Sequence, residues 1–146
     1  MTTNTRPDAS SWEDSLIADL RANGGRPSSG PLAGQPLLIM DSTGAVSGLP
    51  RRAILTYTRD GDDYIVAGTK SGAPTDPAWI ANLRAHPEVT VEVDNETFAA
   101  TATVIAGGPE RDRLWDHHAT ELPWFAPYPE KSGRIIPMVR LAPARG

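Results

Sequence analysis

The sequence predicts an α+β domain that is mainly β, with six antiparallel strands in a small closed or half-open barrel, an N-terminal helix and two short peripheral helices. Three observations favour this class. Apolar residues alternate with polar ones along the strand-like segments, and hairpin turns or short helices connect most of these segments, as in antiparallel sheets. The chain has 146 residues, 39% of them hydrophobic, which suits one core. We expect a flexible tail at 1–10 and a single domain over 11–146.

The predicted helices cover residues 11–23, 77–86 and 108–119. Ser10 and Glu13 have the spacing of a capping box, in which each side chain binds a backbone N–H at the start of the first helix. Asp76 is the expected N-cap of the second helix, and Pro77 then occupies its first position, where a missing N–H costs nothing. The apolar face of the first helix either covers the barrel or rests on a membrane surface, and we favour the first.

The predicted strands cover residues 37–40, 53–58, 64–69, 89–93, 97–105 and 135–141. Val89, Val91 and Val93 alternate with polar residues, as in a strand with one buried face. Asp60-Gly61 is a hairpin signal, because this pair suits the left-handed backbone of a two-residue turn. We expect that turn to pair the second predicted strand with the third.

Charge, cysteine content and hydropathy exclude several classes of function. The net charge is −4 and the chain has no cysteine, so we expect no nucleic-acid partner, no disulfide and no thiolate chemistry. The N-terminus is polar, and no segment approaches the roughly 20 apolar residues that span a bilayer. These features predict a cytoplasmic protein without an integral membrane segment.

Familiar nucleotide-binding and hydrolase motifs are missing from the sequence. It contains no G-x-G-x-x-G, no Walker loop and no G-x-S-x-G. His86 precedes a proline at a helix end, where a structural role is favoured. His117 and His118 are adjacent, so on a helix they point roughly 100° apart and do not chelate one metal. We expect no metal site.

Cations and glycines gather around the expected hairpin. Lys70 follows a predicted strand within Gly68-Thr69-Lys70-Ser71-Gly72, and Arg51-Arg52 begins the strand expected to pair with it. That pairing would place Arg51 beside Lys70, near the N-terminus of the helix at Pro77. Two cations, loop N–H groups and a helix N-terminus form a cradle for a phosphate or carboxylate. A solvated rim of charges explains the same residues equally well.

Three segments resemble the deazaflavin-dependent nitroreductase family: Gly68-Thr69-Lys70-Ser71-Gly72-Ala73-Pro74, Asp76-Pro77-Ala78-Trp79-Ile80-Ala81-Asn82-Leu83 and Ala85-His86-Pro87-Glu88-Val89. The resemblance covers residues 12–143 and implies a split β-barrel of the FMN-binding type that binds coenzyme F420, with FMN a less favoured cofactor. It implies these cofactor-binding residues: Ala45, Val46, Ser47, Arg51, Arg52, Ala67, Gly68, Thr69, Lys70, Gly72, Pro77, Ala78, Trp79 and Asn82.

Two positions depart from the family pattern. Val46 stands where the family usually has a cation, and Ile54 stands where it has a proline. Arg52 is a hypothetical replacement for the missing charge. We therefore expect weakened binding of the anionic coenzyme tail.

The resemblance further implies a reductase that transfers a hydride from reduced F420 to small, hydrophobic, electron-poor substrates such as enones, lactones or nitroaromatic compounds. The loop 122–128 matches the segment that closes the substrate pocket in the family. This match implies a pocket of Thr56, Trp124, Phe125 and Tyr128, with Tyr128 or water as the proton donor. The same rings would also serve simply to fasten the loop to the barrel. An FMN- or heme-binding barrel, a non-catalytic coenzyme carrier and a homodimer paired through sheet edges stay open as alternatives.

Overall fold

The structure is a computed structural model and describes residues 7–23, 28, 34–69, 74–94 and 96–144. Within these residues there are four α-helices and seven strands. The helices are α1 (Pro7–Ala22), α2 (Ala78–Ala85), α3 (Pro109–Glu121) and α4 (Tyr128–Ser132), with a 3-10 turn at Pro123–Phe125. The strands are β1 (Leu37–Thr43), β2 (Pro50–Thr56), β3 (Thr58–Asp60), β4 (Asp63–Ala67), β5 (Glu88–Val93), β6 (Glu96–Ile105) and β7 (Met138–Pro143).

All seven described strands form one sheet in the order β2-β1-β5-β6-β7-β4-β3, and every neighbouring pair is antiparallel. The predicted mainly β, antiparallel class is confirmed. The two edge strands, β2 and β3, are consecutive in the chain and separated only by Tyr57. The sheet therefore curls into a half-barrel whose two edges are one stretch of chain.

The prediction of six strands was wrong, because the segment expected at 53–58 divides at Tyr57. Its first part pairs with β1, where Ile54 faces Ile39, and its second part pairs with β4, where Thr58 faces Ile65. The Tyr57 side chain is buried and packs edge-on against Tyr64, with 5.2 Å between ring centroids. Burial of this ring at the bend separates the two strands.

The expected partner of Arg51 was also wrong. The Asp60-Gly61 turn forms, with Gly61 at φ 62°, but it joins β3 to β4 only. Arg51 lies opposite Ser42 on β1. The loop at 44–49 closes this β1–β2 hairpin locally, since Gly44 N donates to Leu49 O at 2.8 Å. Closing the short β1–β2 hairpin costs less conformational entropy than pairing Arg51 with the end of the strand after the Asp60-Gly61 turn.

The segment 122–129, expected as a loop, contains the 3-10 turn and the first two residues of α4. Its prolines are compatible with these elements because they stand at helix starts, where no N–H is required. Pro123 begins the 3-10 turn, Pro127 is the N-cap of α4, and Gly133 ends α4 at φ 70°. This correction matters because the segment carries most of the predicted substrate pocket.

The helices cover the sheet through three apolar clusters. Ile80 and Leu83 of α2 pack into the core of the half-barrel. Leu114 of α3 packs with Phe125 and β7, and Ile17 of α1 packs on β1. None of the described helices is long and apolar enough to cross a membrane.

Two sets of ion pairs fasten helices to the sheet. Arg21 of α1 forms a bidentate ion pair with Glu92 of β5, with hydrogen bonds of 2.7 and 2.8 Å. Arg113 of α3 and Arg140 of β7 both bind Asp60 at the β3–β4 turn, at 3.0 and 2.9 Å. Hydrogen bonds from these two arginines hold the pKa of Asp60 well below its usual range. The turn is thereby anchored to α3.

Candidate functional site

A cavity of about 310 Å³ lies where the C-terminal ends of β2 and β4 meet α2 and the segment 122–128. Its lining residues are Leu37, Ile54, Leu55, Thr56, Ala67, Thr69, Trp79, Trp124, Phe125 and Tyr128. The structure thus brings together all four predicted substrate-pocket residues and three of the predicted cofactor-binding residues. It does so although they come from four separate parts of the chain.

One side of the cavity is an aromatic wall formed by Trp124, Phe125 and Tyr128. Phe125 is at its centre, with its ring centroid 5.5 Å from that of Trp124 and 5.4 Å from that of Tyr128. Phe125 is buried, whereas Tyr128 is half-buried and Trp124 is exposed. Aromatic side chains offer large apolar area with few rotamers, so this wall suits a flat apolar ligand.

Gly68 follows β4 beside the cavity and approaches its neighbours too closely for a side chain. Its N–H donates to Pro137 O at 2.9 Å. A Cβ at this position would lie 3.0 Å from Ile80 Cδ1 and 3.1 Å from Pro137 Cγ. Glycine here allows the end of β4 to pack against α2 and the segment before β7.

Arg134, which the sequence analysis did not single out, fastens the end of β4. Its guanidinium donates to Gly68 O at 2.9 Å, to Thr69 O at 3.1 Å and to Asp76 Oδ1 at 2.6 Å. The expected capping role of Asp76 was therefore wrong. Pro77 is the N-cap of α2, and no side chain caps this helix. The acceptors Gly68 O and Thr69 O are backbone carbonyls, which leave no trace in a sequence pattern.

Trp79 and Asn82 connect α2 to two different parts of the molecule, the cavity and the 44–49 loop. Trp79 lines the cavity. Asn82, expected to contact the coenzyme, is buried, and its Oδ1 accepts a hydrogen bond of 2.9 Å from Ala45 N. Pro77 is buried at the start of α2, and Ala78 is exposed beside it.

The predicted tail-binding residues lie at the opposite end of β2 from the cavity. Val46 is 102% exposed at the tip of the 44–49 loop. Ser47 Oγ accepts a hydrogen bond of 3.2 Å from Arg51 Nη2, and Arg52 Nε lies 3.3 Å from Asp41 Oδ1. Thr56, in the cavity, is five positions after Arg51 along β2, a distance of about 17 Å. Lys70 and Gly72 lie outside the described residues.

His118 lies behind the aromatic wall. Its side chain is completely buried, and its Nδ1 is 2.8 Å from Thr58 Oγ1. Its ring meets that of Phe125 edge to face, with 4.7 Å between centroids. Burial, with a contribution from the neighbouring His117, lowers the pKa of His118 to about 4, so the imidazole is neutral near pH 7.

A second cavity of about 540 Å³ adjoins the first across the bend at Tyr57. Thr58, Arg59, His117 and Glu121 are among its lining residues. None of the predicted site residues lines it. We therefore assign the candidate site to the smaller cavity, where the predicted residues converge.

Comparisons with known proteins agree on one family. A protein-family model, F420H(2)-dependent quinone reductase, matches residues 15–143. The F420H(2)-dependent quinone reductase Rv1261c of Mycobacterium tuberculosis is 36% identical over 111 residues, which cover 73% of this chain and 72% of that protein.

Similarity to solved structures extends over most of the chain. The F420-H2 dependent reductase FDR-A is 30% identical with a TM-score of 0.66, over 73% of this chain and 93% of that one. A structure described as a domain-swapped dimer is 26% identical with a TM-score of 0.68, over 90% of this chain and 98% of that one. HutZ, a heme storage protein of Vibrio cholerae, is 16% identical with a TM-score of 0.56, over 91% of each chain, a likeness of fold alone.

Proposed function

Because the chain belongs to the F420H(2)-dependent quinone reductase family, we propose that it reduces quinones with reduced coenzyme F420 in the cavity beside the aromatic wall. The single observation that carries this proposal is the convergence of Thr56, Trp79 and Tyr128 on one apolar cavity. The dependence on F420 implied by the sequence resemblance is confirmed by the family. Enones, lactones and nitroaromatic compounds stay predictions as further acceptors.

The cavity has the size and lining that the ring part of the coenzyme and an acceptor require. Its volume of about 310 Å³ is at the lower end of ligand sites, so it suits stacked flat rings but not the whole coenzyme. Ala67, Thr69 and Trp79 would hold the coenzyme ring from the side of β4 and α2. Trp124, Phe125 and Tyr128 would hold the acceptor from the opposite side.

The remainder of the coenzyme would extend along β2, from the cavity towards the 44–49 loop. The first N–H groups of α2 have no side-chain cap, so they are available to a phosphate. Arg51 and Arg52 are exposed at the far end, where they would meet the acidic tail. Arg52 Nε lies 3.3 Å from Asp41 Oδ1, which partly neutralises its charge. Val46 carries no charge. These contacts support a tail site that is weakly charged but present.

Bound reduced F420 supplies the hydride, and the protein contributes orientation, exclusion of water and a proton. Phe125 and Trp79 exclude water from the two sides of the cavity. Reduction of a quinone to a hydroquinone needs a hydride and a proton at the two oxygen-bearing ends of the ring system. Tyr128 Oη is the hydroxyl donor on the aromatic wall, and a phenol both donates and accepts hydrogen bonds. We assign it the proton donation, with solvent as the second source.

The alternatives of a heme site, an FMN site and a non-catalytic carrier require different groups in the cavity. A heme site needs an axial ligand, and among the described residues that line this cavity Tyr128 is the one of a type that supplies it. An FMN site and a non-catalytic carrier need no such ligand. A homodimer and a peripheral membrane contact also stay predictions for this chain.

Titration of the purified protein with F420, and separately with FMN, tests the cofactor. Oxidation of reduced F420 in the presence of a naphthoquinone, with one hydroquinone formed per coenzyme oxidised, tests the activity. We expect tight binding of F420, weak binding of FMN and catalytic turnover. Binding of F420 without turnover of any quinone would identify a carrier, and stronger binding of FMN would reject the assignment.

A further inference from the structure

His118 contacts Thr58 on one side and the aromatic wall on the other, and it does not line the cavity. On one side its Nδ1 is 2.8 Å from Thr58 Oγ1. On the other side its ring is nearly perpendicular to that of Phe125, at 85°. Its second nitrogen, Nε2, is buried and has no hydrogen-bond partner among the described residues.

The buried, unpaired Nε2 lowers the stability of the folded protein when an imidazole occupies this position. A buried polar group without a partner costs about 1–3 kcal/mol, and such a group requires an explanation. A phenyl ring would fill similar space without that cost. The contact that an imidazole makes and a phenyl ring does not is the hydrogen bond with Thr58, which fixes the rotation of the ring.

The fixed ring constrains Phe125, because edge-to-face contacts between rings are directional. Phe125 in turn contacts Trp124 and Tyr128 at centroid distances of 5.5 and 5.4 Å. Any rotation of Phe125 therefore changes the surface that the wall presents to the cavity.

We propose that His118, held by Thr58, is a positioning residue that sets the orientation of Phe125 and so the width of the cavity beside the aromatic wall. The consequence for acceptor size rests on the proposed function, whereas the position of Phe125 does not. The hydrogen bond thereby determines which acceptor rings fit, although neither Thr58 nor His118 touches the acceptor.

Four variants test the position of the wall: His118→Phe, Thr58→Val, the double variant and His117→Phe. The last is a matched control, because His117 is the neighbouring, exposed histidine and its Nε2 lies 3.1 Å from Arg59 O. Aromatic NMR signals of Phe125, Trp124 and Tyr128 should shift in His118→Phe and Thr58→Val but not in the control. Unchanged signals in Thr58→Val would overturn the proposal, even if His118→Phe fails to fold.

Kinetics with a one-ring and a two-ring quinone test the consequence. We expect the KM for a naphthoquinone to rise about tenfold, the effect of a small misfit in an apolar pocket, while the kcat for a benzoquinone and the affinity for F420 stay unchanged. The double variant should be no worse than the single ones, because both act through Phe125. A loss of activity that is equal for both quinones and parallels the loss in the free energy of unfolding would show a structural role only. That result would overturn the proposal. If the wild type reduces no quinone, the proposed function fails, and the NMR signals still decide whether His118 positions Phe125.

Discussion

The side-chain Oδ1 of Asn82 accepts a 2.9 Å hydrogen bond from the backbone N–H of Ala45, and this bond connects α2 to the loop that precedes β2. Three residues earlier on the same helix, Trp79 lines the cavity. One short helix therefore contacts both the cavity proposed for the coenzyme ring and the loop proposed for the coenzyme tail. Asn82, which the sequence resemblance placed against the coenzyme, also holds that loop.

Replacement of Asn82 by Leu should weaken coenzyme binding because it releases the loop that precedes β2. The change leaves Ala45 N–H without its partner, and we expect a loss of about 1–2 kcal/mol in the free energy of unfolding together with lower affinity for F420. Denaturant titration and coenzyme titration measure the two effects. Asn23→Leu is the control, because Asn23 is exposed and binds only near the end of α1. Unaltered affinity in Asn82→Leu would contradict this role.

Gly68→Ala should destabilise the protein by overpacking. The new methyl group would lie 3.0 Å from Ile80 Cδ1, and we expect a loss of about 1–3 kcal/mol, measured by urea unfolding. Gly107→Ala provides the comparison, since a Cβ at Gly107 meets nothing within 4 Å. Equal stability of the two variants would show that the end of β4 can shift freely.

Tyr128→Phe should lower kcat and leave the affinity for F420 intact. The phenyl ring keeps the packing against Phe125, 5.4 Å away between centroids, and only the hydroxyl is lost. We expect a loss of about tenfold, small for an acid catalyst because solvent can also deliver the proton. Tyr64→Phe, in the core cluster away from the cavity, is the control for loss of a buried hydroxyl. Unchanged turnover would remove Tyr128 from the mechanism.

Val46→Lys should strengthen binding of the coenzyme tail. Val46 is fully exposed, so a lysine fits without disturbing the fold, and one exposed cation should improve affinity by about fivefold or less. The gain should fade as salt is added. Val46→Gln separates charge from chain length; the idea fails if lysine and glutamine give the same affinity.

Stability should decrease on mild acidification because of His118. Its pKa is lowered from 6.5 to about 4 in the folded protein, so between these values the unfolded chain binds a proton that the folded chain does not. Stability is full above pH 6.5 and falls towards pH 4, by about 3 kcal/mol in total. Asp60 and Glu110, whose pKa values are lowered from 3.8 and 4.5, contribute near the lower end of this window and below it.

Urea unfolding across that pH window measures this effect in the wild type, His118→Phe and His117→Phe. We expect the slope of stability against pH to disappear in His118→Phe and to persist in His117→Phe. The same slope in all three proteins would show that groups other than His118 cause the pH dependence of stability.

Much of the fold was predictable because local patterns indicate local elements. The alternating valines of β5 and the proline at the start of α3 identified their elements within a few residues. Pairing was less predictable. Arg51 was expected to lie beside Lys70 after the Asp60-Gly61 turn, but the chain bends at the buried Tyr57 and β2 pairs with β1. The bend divides the predicted strand, and each part joins a separate hairpin.

The candidate site was also predictable only in part. The resemblance indicated the lining residues Thr56 and Tyr128, and the structure brings them to one cavity. The sequence analysis did not single out Arg134, and it considered His118 only as a metal ligand. Arg134 acts largely through backbone carbonyls, and His118 acts through a single threonine distant in sequence. Such contacts depend on the completed tertiary structure and have no characteristic spacing.

The place of β7 in the sheet has a consequence for how the molecule is made. This strand, the seventh in chain order, lies between β6 and β4, and pairs such as Val66 with Val139 join residues far apart in sequence. Until it emerges from the ribosome, the earlier strands can form only two separate sheets, one with Thr56 and one with Ala67. Sheets closed by such distant contacts assemble slowly. A nascent chain therefore has no finished cavity to offer, and the coenzyme associates with the completed protein and does not guide its synthesis.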